Sequence, residues 1–357
     1  VTHEFSSQTV PVLVLGSGLT ALGVIRALGR KQIPTYIVDN DPDDTSIRFS
    51  RWFHPLAQRH QITSETLADF LEDNDDIKQA VLIPCTDRWV ETVIGLPNKI
   101  SKLFPSTVSD PEATSILLNK WLLAQTLVKL GLPHPCTLLM SSREDLDELP
   151  ESEFDVFFKP LNANKFGELF KGIKGVMVQN KADANQCFAK IQEENIPVIL
   201  QEYIPGPPTE HYFIEGFIDR TGIVRALFAR RRLRMHPHMF GNSSYTESIP
   251  ITDVSDATAT LLTVLRSLNY RGIFDAEFKH DARDGRFKLL EVNVRPWWYI
   301  EFAQSCNVDI CGLAYDDALG KPLQNIAHYK TGRRCVYPKT DFPAFLNGDK
   351  IDGRALL

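Results

Sequence analysis

Short apolar runs alternate with helical stripes along the first hundred positions. VPVLVL (10–15) reads as a strand; it stops at a glycine turn, a helix runs to about Gly29, and a second strand ends at Asp39. That is a βαβ unit. A helix near 64–72, the apolar strand AVLIP (80–84) and a helix around Trp89 continue the alternation, so the pattern predicts a parallel sheet with helices on both faces. Asp110-Pro111 supplies a capping residue and a proline suited to a first turn, and ATSILLNKWLLAQTLVKLG predicts one helix reaching Gly131. Pro133 and Pro135 end it.

Beyond that point the pattern is α+β. Strands are predicted over 156–159, 176–179, 198–203, 211–218, 224–233, 274–279 and 287–294, and helices over 182–194 and 253–268. In the last helix Leu261, Val264, Leu265 and Leu268 form a core-facing stripe. The strand in FKLLEVNVRPWW is unusual because Glu291, Asn293 and Arg295 interrupt an oily run at every second position. Alternation places Leu289, Glu291, Asn293 and Arg295 on one face and Leu290, Val292 and Val294 on the other. Same-face neighbours stand about 6.5–7 Å apart, which suits oxygen ligands around hard cations with a guanidinium beyond them. A solvated edge strand is the alternative. FDAEFK, with Asp275, Glu277 and Lys279 alternating with apolar residues, adds a second acidic face. Glu277, Glu291 and Asn293 together form an oxygen set of the kind magnesium uses with nucleotide phosphates.

Composition narrows the class. The 357 residues leave room for two or three domains, and 43% hydrophobic with 24% charged residues is ordinary for a soluble globular enzyme. A net charge of −6 argues against nucleic-acid and anionic-membrane partners; RRRLR at 230–234 is the basic cluster to explain. Six cysteines without a C-x-x-C pair predict neither a zinc site nor a disulfide framework, and suit reduced thiols in a cytosol. The first ten residues lack a basic head and an apolar run, and no 18-residue apolar stretch occurs, so the expectation is a cytoplasmic protein.

Several local signals compete. GSGLTA (16–21) satisfies the dinucleotide fingerprint and Asp39 sits where a ribose-binding acid belongs, which keeps an NAD(P)-dependent oxidoreductase open; a glycine turn serves other ligands and plain packing equally well. DNDPDD (39–44) imitates a calcium loop, but Asp44 stands where glycine is required and Ser50 where glutamate is, so it reads as an acidic turn. Lys120 projects from a helix and Lys159 closes an apolar strand, where an ammonium wants an anion or a snorkelling route to water. KFGELFKGIKG (165–175) interleaves Lys165, Lys171 and Lys174 with Gly167, Gly172 and Gly175, giving either a charged hairpin or a mobile loop able to approach phosphates. QEYIPG (201–206) ends a strand with free main-chain groups suited to a purine edge, and Glu210 follows within reach of ribose hydroxyls. His236 and His238 read as structural.

In this order the two lysines, the glycine loop, Q-E-Y-I-P-G, D-A-E-F and L-E-V-N-V-R resemble the ATP-grasp superfamily. FARRRLRMHPHMFGNSSYTES with LLEVNVRPWW looks like its carboxylate-amine ligases related to D-aspartate ligase and, more distantly, to the carbamoyl phosphate synthetase ATP-binding half. The resemblance spans Val10 to about Gly320. It implies an ATP-grasp fold, α/β and α+β, with a Rossmann-like pre-ATP-grasp domain at 1–110, a lysine and glycine-loop subdomain at 111–196, a metal-binding subdomain at 197–327 and a tail at 328–357.

The same resemblance implies ATP-binding by Lys120, Lys159, Lys165, Gly167, Lys171, Gly172, Lys174, Gln201, Glu202, Ile204 and Glu210. Glu277, Glu291 and Asn293 would bind two Mg²⁺ ions, with Mn²⁺ as a substitute, and Arg295 would steady the transferred phosphoryl group with Lys159. Gly16, Ser17, Gly18, Thr86 and Asp87 become substrate candidates without NAD. Arg230, Arg232 and Arg234 share one strand face; Arg232 is the choice for a carboxylate or phosphate contact, Arg234 lies beside it, and a basic surface strand is the alternative. Relatives favour G-R-K-L-R here, so the chain's R-R-R-L-R leaves individual roles open. Trp297 and Trp298 replace smaller residues and could narrow or stack on the substrate site. The implied activity is ADP-forming ligation of a small-molecule carboxylate to an amine, with a homodimer common among relatives. A bicarbonate-using carboxylase, an oxidoreductase and a non-catalytic nucleotide sensor are the alternatives. Neither substrate can be read from the residues.

Overall fold

The structure, a computed structural model, describes residues 9–38, 47–54, 56, 62–74, 77–146, 155–161, 166, 169–170, 175–237 and 241–346. Strands β1 (Val12–Leu15), β2 (Thr35–Val38) and β3 (Val81–Pro84) form a parallel sheet in the order β2-β1-β3. All four residues of β1 are 0% exposed, so this strand has to be covered on both faces. Helix α1 (Gly18–Gly29) covers one face, with Phe217, Phe228 and Ile273 from a distant part of the chain in the same core. Helices α2 (Leu67–Asp73), α3 (Asp87–Ile94) and α4 (Asn98–Leu103) cover the other.

The single helix expected over 111–131 is two. Asn119 leaves the helical region at ψ 111°, and its side-chain oxygen accepts from the N–H groups of Trp121 and Leu122. It therefore ends α5 (Pro111–Leu118) and caps α6 (Lys120–Leu130), the local bonding that lets asparagine compete with helix continuation. Both helices pack on the large sheet, with their apolar residues in one core with Val292 and Phe278.

β4 (Thr137–Met140), β5 (Val156–Pro160), β6 (Val176–Val178) and β7 (Val198–Glu202) make an antiparallel sheet in the order β4-β7-β5-β6, backed by α7 (Lys181–Glu193). The expected boundary at 196 thus falls one strand before this sheet ends. The third sheet is antiparallel, in the order β12-β11-β8-β9-β10-β13. Its strands are β8 (His211–Ile218), β9 (Val224–His236), β10 (Asn242–Ile249), β11 (Gly272–Asp281), β12 (Arg286–Asn293) and β13 (Arg334–Val336), with α8 (Ser255–Ser267) beneath. Helices α9 (Ile300–Ser305) and α10 (Ile310–Ala318) return to cover α1, and α11 (Pro338–Leu346) docks beside β9 and β10. The segment expected as a tail from 328 therefore supplies an edge strand and a packed helix.

A bulge changes the faces of β12. Glu291 pairs with Glu277, but Phe278 pairs with Leu289, leaving Leu290 as the extra residue. Leu289, expected beside Glu291, is 1% exposed and shares the core of Val292 and Val294.

The β8–β9 hairpin turns on one carboxylate. Asp219 accepts from Thr221 N–H and Oγ1, Ile223 N–H and Arg225 Nε. Burial opposes ionisation, yet these bonds hold the carboxyl down at about 2. A lowered folded value stabilises above the unfolded one and is lost as pH falls from about 4 toward 2. The melting temperature of Asp219→Asn should therefore lie below the wild type's at pH 6, and the gap should narrow at pH 3.

Candidate active site

The acidic residues meet on two neighbouring rungs of the large sheet. Glu277 lies opposite Glu291, and Asp275 opposite Asn293. On the first rung, Glu277 Oε1 is bound by His211 Nδ1 at 2.7 Å and by Arg232 Nη2 at 3.0 Å, which leaves Oε2 without a partner among the described residues. Burial alone would raise its pKa, but the Arg232 guanidinium and the His211 hydrogen bond hold the carboxyl well below the usual range. His211 is pushed down to about 4 by burial and by Arg232, so the imidazole is neutral and its Nδ1–H donates. Glu291 is half-buried and makes no hydrogen bond with a described residue.

On the second rung Asn293 Nδ2 donates to Asp275 Oδ2 at 3.1 Å, turning Oδ1 the other way, where Arg295 Nη2 reaches it at 3.3 Å. Burial raises Asp275 to about 6, against the charge of Arg230. Arg295 Nε also donates to Asp87 Oδ1 at 2.6 Å, joining the end of β12 to the turn after β3. Arg230 reaches back to Glu215, which is 0% exposed, and lies over the ring of Phe213 at 3.6 Å.

From the four-stranded sheet Lys159 points toward this floor. Its Nζ donates to Gln201 Oε1 at 2.7 Å, and burial lowers its pKa while Glu291 and Glu277 raise it and Lys120 lowers it, so all four charges lie within electrostatic reach. Lys120 is the first residue of α6, a cation at the positive end of a helix, which only a nearby anion makes favourable. Gln201 spends its amide N–H on Thr137 Oγ1, and the Glu202 carboxylate accepts from Cys136 N–H and Arg283, so what either offers a ligand comes from the backbone. Ile204 is 2% exposed. Glu210 pairs with His280 at 3.1 Å. Lys165, Gly167, Lys171, Gly172 and Lys174 lie outside the described residues, as do Asp39–Asp44 and His238.

On the substrate side, Gly16 has φ +121°, and a Cβ there would stand 3.4 Å from Cys85 and Thr86, so the turns after β1 and β3 touch. Gly18 opens α1, and Ser17 at its N-cap makes no side-chain capping bond. Thr86 caps α3. Two expectations are corrected. Arg232 donates to Ser243, Met235 and Glu277 and is 4% exposed, so it is a buried arginine that positions Glu277 instead of standing open on the strand face. Arg234 is held by both oxygens of Asp341 at 2.9 and 2.6 Å and is 2% exposed, which makes it a buried structural arginine. The basic surface strand is overturned with them. Trp297 is buried in the core beside α1; Trp298, 39% exposed, lines a cavity of about 350 Å³ with Leu19, Leu22, Phe302 and Tyr337. His211 and Glu215 were missed, although β8 places His211, Phe213 and Glu215 alternately on one face.

No protein-family model matches the chain. Its sequence is similar to the D-aspartate ligase of Enterococcus faecium (strain Aus0004), 24% identical over 311 residues that cover 81% of this chain and 72% of that one. The structure superposes on the biotin carboxylase domain of Hydrogenobacter thermophilus 2-oxoglutarate carboxylase, solved with MgADP and bicarbonate, at a TM-score of 0.69 and 13% identity, covering 92% of this chain and 74% of that one. It also superposes on the L-amino acid ligase of Bacillus licheniformis at a TM-score of 0.64 and 14% identity, covering 89% and 76%. The chain has the ATP-grasp fold.

Within that ATP-grasp fold the donor set suits magnesium. Every candidate ligand is oxygen, Glu277 is tied back through Oε1 alone, Asn293 Oδ1 meets only the 3.3 Å contact of Arg295, and Asp275 Oδ1 is buried without a hydrogen bond among the described residues. No three His, Cys, Asp or Glu residues form a metal cage among the described residues. No helix among the described residues is long and apolar enough to cross a membrane.

Proposed function

We propose that this protein is an ATP-dependent, ADP-forming carboxylate–amine ligase acting on an amino acid or small peptide. The observation that carries this reading is the paired Glu277–Glu291 rung, with Asn293 beside it and Lys159 facing it. The ligase names of the sequence relative and of one fold neighbour support it. Bound MgATP would supply the phosphoryl group.

Glu277, Glu291 and Asn293 would hold two magnesium ions, or manganese in their place, and Lys120 and Lys159 would neutralise phosphate charge. Ile204 and the backbone of 201–202 take the base, and Glu210 the ribose. Arg295, fixed by Asp87, faces the phosphoryl group from the substrate side. A substrate carboxylate oxygen forms a bond to the γ-phosphorus as the bond to the ADP oxygen breaks. The amine nitrogen then attacks the acyl carbon, phosphate leaves, and the amine gives up one proton. No protein nucleophile is required, because positioning and charge neutralisation do the work. Gly16, Ser17, Gly18 and Thr86 line the substrate side. The reading includes a cytoplasmic setting, small-molecule partners and a homodimer.

The test is incubation with Mg²⁺, ATP and paired amino acids, D-aspartate first, followed by mass spectrometry. The expected result is ADP and phosphate released in step with a product equal to acid plus amine less water. ADP release that needs bicarbonate and no organic acid would replace this reading with a carboxylase.

A further inference from the structure

The site face of β11 carries Asp275, Glu277 and then Lys279, and the third has no place in the assignments above. Lys279 is 5% exposed. Its Nζ stands 4.6 Å from the centre of the Tyr203 ring, and a Cβ on Gly206 would lie 3.9 Å from its Cε and 3.4 Å from Glu210. It therefore lies under the 203–206 hinge, between the first acidic rung and the segment suited to a purine. Among the described residues it makes no hydrogen bond and no ion pair.

A buried ammonium in that condition is costly, and a cation–π contact returns only about 0.5–2 kcal/mol. The charges that face it are Glu277, Glu210, Arg232 and Lys159. Both carboxylates are engaged, Glu277 by Arg232 and His211 and Glu210 by His280, so neither serves Lys279 as a dedicated partner. Snorkelling is the ordinary remedy for such a lysine; at 5% exposure of the whole residue, with Nζ not among the fully buried unpaired atoms, what exposure remains is at the ammonium.

The missing anion has a place to come from. Two residues along a strand advance about 6.5–7 Å, so Lys279 stands that far from Glu277 in the direction of the hinge. A nucleotide with its terminal phosphates at Glu277 and Glu291 and its base at Tyr203–Gly206 would carry its first phosphate between the two, where Lys279 stands.

We propose that Lys279 is a nucleotide-binding residue whose ammonium takes the α-phosphate, giving the site a third lysine beside Lys120 and Lys159. The assignment rests on the nucleotide site of the proposed ligase. The experiment compares the wild type, Lys279→Met and Lys279→Arg by calorimetric binding of ADP, AMP and adenosine, and by ATP turnover. The methionine variant should bind ADP and AMP at least tenfold more weakly and adenosine unchanged. Its KM for ATP should rise by a similar factor with kcat within threefold, and arginine should recover most of the loss. Without nucleotide its melting temperature should equal or exceed the wild type's, since an unpaired buried charge has been removed. Equal loss for AMP and adenosine would overturn the proposal, because the lysine would then only prop the Tyr203 hinge; unchanged AMP binding would overturn it too. If the methionine variant does not fold, Lys279→Gln takes its place with the same expectations. Wild-type protein that binds none of the phosphorylated nucleotides would remove the nucleotide site itself, whereas wild-type binding matched by the variant removes only the lysine.

Discussion

Glu291→Ala should lower ATP turnover by about 10³-fold or more while leaving the protein as stable as the wild type. The loss follows from taking a charged ligand from a dry site where the developing phosphate charge has few other counterweights; single electrostatic contacts of this kind are worth about 10²–10³ in rate, and a lost metal ion adds to that. The unchanged stability follows from the surroundings of Glu291, which is half-buried and makes no hydrogen bond with a described residue, so its removal strands no hydrogen-bond partner, and the charge it takes from Lys159 leaves that ammonium its bond to Gln201 and the charge of Glu277. Glu277→Ala would be a poorer probe, since it leaves Arg232 and His211 facing an empty position. Steady-state ADP release and a melting curve on the same preparation decide the matter. Full turnover in the alanine variant would remove the metal assignment.

The largest effect on stability belongs to Asp341→Ala. Arg234 and Asp341 are 2% and 1% exposed and meet through two hydrogen bonds, with Ser244 Oγ donating to the same carboxylate at 2.9 Å. Removing the carboxylate leaves a guanidinium buried beneath α11 with only weak ring contacts among the described residues, Tyr245 at 4.6 Å and Phe345 at 5.9 Å, for compensation. Breaking one side of such a pair costs about 3–5 kcal/mol, whereas replacing both partners by apolar residues is often neutral. Urea denaturation should therefore show a large loss for Asp341→Ala and a much smaller one for Arg234→Met with Asp341→Leu. The double variant should keep its KM values. A variant of normal stability with a raised KM would return Arg234 to the substrate site.

β1, β2 and β3 with the helices between them were legible because buried parallel strands and amphipathic helices leave distinct periods. The strands over 211–218 and 274–279 were equally clear. β10 was not, because its core positions are Ser243, Ser244, Thr246 and Ser248, all at most 4% exposed, and a polar sequence does not announce a buried strand. Those hydroxyls serve partners far off in sequence, as Ser243 does for Arg230 and Arg232 and Ser244 does for Asp341. The same limit governs the site. Alternation put Glu277, Glu291 and Asn293 on usable faces, and the structure brings them to adjacent rungs. It could not show that Arg232 is spent on Glu277 or Arg234 on Asp341, since alternation fixes a direction and not a partner. Nor could it foresee the bulge at Leu290, which depends on the register with β11.

The bond between Arg295 and Asp87 has a mechanical consequence. It crosses from the large sheet to the parallel one, and Phe217, Phe228 and Ile273 lie in one core with Val12 and Val14, so these two sheets behave as a single anvil. Among the described residues the core of the four-stranded sheet is a separate cluster, from Met140 to Leu200 with the α7 residues between. Lys159 thus rides on an upper jaw with a core of its own, joined to the sheet that carries the acids by the Glu202–Arg283 ion pair, so the gap between lysine and acids is spanned by few contacts.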